Sequence, residues 1–98
     1  MKTKVFEIEQ MTIEHFAERK DLTMEIRERR VPAGSPNRFY ARFESCEVMD
    51  GRALVGLCGD GPTPEDAVQD YARNIQLKRI CIDAMRDSRK EIEVPRLL

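Results

Sequence analysis

Arg27, Arg29, Arg30 and Arg38 bracket the segment Val31-Pro32-Ala33-Gly34-Ser35-Pro36-Asn37, and Arg42 follows closely. Arginine outnumbers lysine in the chain, 12 to 5. A guanidinium carries a rigid fork of donors that suits carboxylate or phosphate, and it stacks on planar groups. Tyr40 and Phe39 lie among these arginines and supply rings on which a base stacks. The candidate interaction surface is therefore Arg27, Arg29, Arg38, Tyr40 and Arg42. Glu25, Glu28, Glu44 and Glu47 occupy the same stretch, so cross-strand ion pairs are the competing account of these charges.

Other chemistry is poorly supplied. Cys46, Cys58 and Cys81 are an odd, widely spaced set without a Cys-x-x-Cys pair, which makes neither a zinc site nor a disulfide framework. Each sits in an apolar or strand-like stretch, where reduced cysteine packs as a small hydrophobe. His15 is the one histidine, on a charge-rich segment, with no nucleophile or orienting carboxylate at a diagnostic spacing. Gly59-Asp60-Gly61 precedes a helical pattern, yet the phosphate-loop and dinucleotide spacings are absent. Glu65 and Asp66 would repel an anion there. Asp60, Asp66 and Asp70 read as a solvated acidic face rather than metal ligands. The residues thus call for no catalytic group, no metal and no cofactor.

Composition is that of a globular chain with a heavily charged exterior. The chain has 98 residues, 36% charged and 41% hydrophobic, with net charge -1. That balance argues against a generic polyanion binder. No apolar run approaches the ~20 residues of a membrane span, and the amino terminus lacks a signal-peptide core. Reduced cysteines and these absences point to the cytoplasm.

The elements that must position the arginines follow from periodicity. Residues 1–11, with Val5, Phe6 and Ile8, read as an edge strand or a loose arm. Thr12 caps a short helix ending near Asp21, with Ile13, Phe16 and Ala17 on one face. Leu22, Met24 and Ile26 alternate with polar residues, as a strand with one wet face does. The Pro-rich segment is a loop. Phe39, Ala41 and Phe43 begin a second strand; Cys46 and Val48 then fall on the opposite parity, which calls for a bulge near Glu44 or Ser45. Asp50-Gly51 predicts a hairpin into a third, continuously apolar strand, Ala53 to Cys58. Gly59 to Gly61 then make a tight turn. Thr63, Pro64, Glu65 and Asp66 open a second helix that runs to about Leu77 or Lys78 and faces inward through Ala67, Val68, Tyr71, Ala72 and Ile75. Arg79 to Ala84 and Glu91 to Val94 predict two more strands, with Pro95 ending the last.

This predicts one α+β domain: a helix, a three-stranded antiparallel sheet and a helix over residues 12–78, then a C-terminal strand pair over 79–98. The order resembles the double-stranded-RNA-binding-domain fold and the HicB-type antitoxins. HicB-like chains carry a Gly-Asp-Thr-x-x-Glu-Ala junction similar to Gly59 through Ala67 here. In RNA-binding members of that fold, lysines at the start of the second helix clamp phosphates. The matching positions here are Glu65, Asp66 and Asp70, which exchanges attraction for repulsion. The HicB resemblance implies partner binding and carries no catalytic residue. In general style the chain also resembles small proteins encoded by tailed bacteriophages and prophages.

The expected function is that of a non-enzymatic binding or accessory protein acting through protein–protein contact, with a second copy among the partners. The alternative is nucleic-acid binding through the arginine face. It requires basic charge on one side of the molecule and acidic charge on the other.

Overall fold

The structure is a computed structural model that describes residues 1–4 and 10–98. Val5, Phe6 and Ile8 lie outside the described residues. The chain is mixed α and β. β1 (Gln10–Met11) leads into α1 (Ile13–Lys20), followed by β2 (Met24–Glu28), β3 (Phe39–Phe43), β4 (Cys46–Asp50), β5 (Ala53–Val55) and β6 (Gly59–Gly61). Then come α2 (Pro64–Ile75), β7 (Arg79–Ile82), β8 (Lys90–Glu93) and β9 (Arg96–Leu97).

Both helices begin where their caps place them. The hydroxyl of Thr12 accepts from the amide of His15 at 3.1 Å, and Asp21 closes α1 in the left-handed conformation at φ 55°. Thr63 accepts from the amide of Asp66 at 3.1 Å, Pro64 opens the first turn, and Glu65 and Asp66 complement the helix dipole. α2 stops at Ile75, short of Leu77, which adopts φ 60°.

The sheet departs from expectation. Instead of three strands in one sheet, the antiparallel strands form two: β2-β3-β6, and β5-β4-β7-β8. β3 and β4 are consecutive, and each is an inner strand of its own sheet. Between them Ser45 takes φ 55°, at the place where the hydrophobic parity slips. Ala41 pairs with Gly59 and Val48 with Val55, seven residues along one strand against four along the other. The extra residues exceed a simple bulge, and the chain changes sheets instead. The expected third strand divides accordingly, into β5 beside β4 and β6 beside β3.

Gly59 and Gly61 are strand residues, not a tight turn. They pair with Ala41 and Phe39. Their role is close approach, because α2 lies directly on β6. A Cβ on Gly59 would overlap the amide nitrogen of Tyr71 and the carbonyl oxygen of Ala67, and one on Gly61 would sit 2.6 Å from the amide nitrogen of Ala67. The hairpin at Asp50-Gly51 forms as expected, with Gly51 at φ 63° and Asp50 opposite Ala53.

Of the C-terminal strands, β7 and β8 belong to the second sheet. Cys46 pairs with Ile82 and Val48 with Ile80, so β7 completes the sheet that β4 and β5 begin. β9 pairs in parallel with β1. One apolar cluster underlies all of this: Ile13 and Phe16 from α1, Ala41 and Phe43 from β3, Ala67, Tyr71 and Ile75 from α2, then Cys46, Val48, Ile80, Val94 and Leu97. Phe43 lies at its centre, 5.3 Å edge-on from the Tyr71 ring and 6.2 Å from that of Phe16. Among the described residues no helix is long and apolar enough to cross a membrane.

Candidate functional site

Strand register decides which predicted residues share a face. Arg27 lies opposite Tyr40, Glu25 opposite Arg42, and Tyr40 opposite Asp60. Because side chains alternate, these residues occupy one face of β2-β3-β6, and α2 covers the other. Arg29, one step beyond β2, folds back over this face with its guanidinium 4.5 Å from the centre of the Tyr40 ring. It donates to Asp60 at 2.5 Å and to the carbonyl of Asn37 at 2.7 Å. Arg29 thus spans from the end of β2 to β6, clipping the Pro-rich loop to the sheet.

Arg38 does not join the others. Its guanidinium pairs with Glu28 at 2.8 Å and lies 5.6 Å from the Phe39 ring centre. Glu28 and Phe39 are register partners on the helix-bearing face. The predicted set therefore divides, with Arg27, Arg29, Tyr40 and Arg42 on one side and Arg38 on the other.

Each of these arginines meets oxygen within the chain. Arg27 is bonded to Glu25, two residues back on its own strand, and Arg42 donates to the carbonyl of Cys46 at 3.4 Å. The carboxylate of Glu25 holds the Arg27 guanidinium above its ordinary value, and Asp60 does the same for Arg29. The charge pattern continues onto α2. Asp70 accepts from the backbone amide of Asp60 at 2.8 Å and from Arg73 at 3.3 Å. Acid and base alternate across the face rather than segregating.

Asp60 and Cys58 belong to this face, although sequence reasoning placed one in a turn and the other in the core. Cys58 is half-buried. The signal that locates both is the parity of β6, legible only once Gly59-Asp60-Gly61 is known to be a strand. Cys46 and Cys81 are buried as expected, and burial pushes the Cys46 thiol up to about 11, far from the thiolate a nucleophile needs. His15 is exposed on α1. Among the described residues no three His, Cys, Asp or Glu side chains cluster as metal ligands.

Comparison with protein-family models, curated proteins and solved structures finds no match to this chain.

Proposed function

We propose that this chain is a non-enzymatic binding protein that acts by protein–protein contact through the β2-β3-β6 sheet. The observation that carries this reading is the internal neutralisation of the arginine face. A phosphate backbone is held by cations whose counterions leave on binding, and that gain is small where each guanidinium already faces a carboxylate or carbonyl. A sheet face of alternating charge around the Tyr40 ring matches the mixed polar and aromatic surface of protein partners.

The test is a gel-shift titration at low salt against duplex RNA, duplex DNA and single strands. The expected result is no retardation at tens of micromolar protein. A shift that fades steeply with added salt, and that is weakened by Arg27→Ala or Arg42→Ala, would transfer the function to nucleic acid.

A further inference from the structure

The two outer edges of the β2-β3-β6 sheet are treated differently. In an antiparallel ladder alternate residues turn both backbone groups toward the neighbouring strand. On β6 the outward groups are occupied: the amide of Asp60 donates to Asp70 of α2, and the carbonyl of Cys58 accepts from Asn74 of α2 at 3.1 Å. On β2 the parity follows from two bonds, Glu44 N–H to the Thr23 carbonyl and Arg29 N–H to the Arg38 carbonyl. Thr23, Glu25, Arg27 and Arg29 thus face β3. Met24, Ile26 and Glu28 turn their amides and carbonyls outward, and no strand pairs with them among the described residues. The Ile26 side chain, 44% exposed, stands at this same edge.

We infer that β2 pairs antiparallel with β2 of a second copy of this chain, about a two-fold axis at Ile26, joining two three-stranded sheets into one of six. This rests on the protein-contact reading above and specifies the partner. Backbone and charge select the same register. With Ile26 opposite Ile26 of the second copy, Met24 faces Glu28 and every outward amide and carbonyl of β2 finds a partner. Glu25 then falls opposite Arg27, and Arg27 opposite Glu25, at the closely spaced positions where side chains meet. Sliding by two residues in total register puts Glu25 on Glu25 or Arg27 on Arg27, and a slide by one mismatches the hydrogen-bonding groups. The Glu-Ile-Arg triplet is therefore self-complementary when read antiparallel.

One of the two edges of the other sheet, β8, shows the opposite design. On β8, Lys90-Glu91-Ile92-Glu93, the two-fold register centred on Ile92 sets Glu91 against Glu93, and those centred on Glu91 or Glu93 set glutamate against itself. Like charges set opposite one another guard an exposed edge. β2 carries both signs, in the order that attracts its own copy. Two-fold contacts of this kind are isologous and close on themselves, so they give a dimer rather than a fibre.

The experiment is sedimentation equilibrium on the full chain from low to high micromolar concentration, with three variants checked for folding by circular dichroism. The wild type is expected to move from 11.4 kDa to twice that mass as concentration rises. Glu25→Arg and Arg27→Glu each set like charges opposite one another and remain monomeric. The double variant restores the complement and dimerises, and an equimolar mixture of the two single variants forms a heterodimer. Hydrogen exchange adds a readout specific to parity: the amides of Met24, Ile26 and Glu28 slow by roughly tenfold or more on dimerisation, while those of Glu25 and Arg27 are protected at every concentration. A monomer throughout the range, or a dimer indifferent to charge reversal, overturns the inference and leaves the protein-contact reading standing. A salt-sensitive gel shift overturns that reading whatever the mass.

Discussion

Replacing Gly59 by alanine should destabilise the protein, while the same replacement at Gly56, three residues earlier, should stabilise it. Alanine for glycine restricts the unfolded chain, which favours the folded state by about 0.4–1 kcal/mol where the backbone and the space allow it. At Gly56 a Cβ meets nothing within 4 Å and φ is not in the left-handed region, so this gain is retained. At Gly59 the new methyl is driven into the backbone of α2, where it overlaps the Tyr71 amide and lies 2.6 Å from the Tyr71 Cα. No flexible side chain stands there to swing aside. The helix must lift, and lifting Tyr71 disturbs its contact with Phe43. Overpacking of this kind costs about 1–3 kcal/mol, occasionally more, and backbone against backbone belongs at the upper end. Set against the gain through the unfolded chain, the net loss is about 2 kcal/mol. For a domain of this size that lowers the melting temperature by about 8–16 °C, whereas Gly56→Ala raises it by about 2–8 °C. Thermal unfolding followed by circular dichroism, with urea titrations to check that the cooperativity is unchanged, measures both. A Gly59→Ala protein as stable as the wild type would mean that α2 does not rest on β6, and the account of this junction would fail.

The Thr63 cap predicts a loss of about 1 kcal/mol for Thr63→Ala in urea unfolding, with Thr63→Ser nearly neutral; equal losses in the two variants would show that the hydroxyl does not carry the effect. Stability should also fall in alkali. Burial lifts the Cys46 thiol from 9.0 to about 11 and the Tyr71 phenol from 10.0 to about 12. The unfolded chain therefore releases these protons first, so the stabilisation is intact below pH 9 and is lost as pH rises through 9 to 12. Urea midpoints should be flat from neutral pH to 9 and decline above it, and Tyr71→Phe should shallow the upper part of that decline. A midpoint that climbs above pH 9 would reverse the sign of the reasoning.

Much of the local structure was legible because its causes are local. A capping hydroxyl, a proline at a helix start and a glycine in a two-residue turn act over a few residues, and Thr12, Thr63, Pro64 and Gly51 all serve as their types suggest. The break in the long strands was visible only as a parity slip after Phe43. Its consequence, that the strand leaves one sheet for another at Ser45, depends on β7, which arrives more than thirty residues later. Gly59-Asp60-Gly61 misled for a related reason. Glycine is poor in strands when nothing compensates it, and the compensation is the helix lying against it. The arginine face was recognised by composition, but its partners were not. Asp60 lies far from Arg29 in sequence, and the Arg38 guanidinium reaches Glu28 and the Phe39 ring, contacts that its position beside the strand does not announce.

The shared spine of the two sheets has a consequence for the order in which the chain leaves the ribosome. Every strand of β2-β3-β6, and the helix that covers it, has been made once Ile75 is added. The second sheet waits for β7 and β8, which end at Glu93. At ordinary elongation rates that interval lasts about 1–4 s, long compared with the formation of a helix or a hairpin. β4 follows β3 directly through Ser45 and pairs with β5 on one side, so its other side has no strand until β7 is made and reaches it. The first sheet draws all its strands from residues made by Ile75, and the second closes only with strands that follow α2, so completion of the second sheet is the later event.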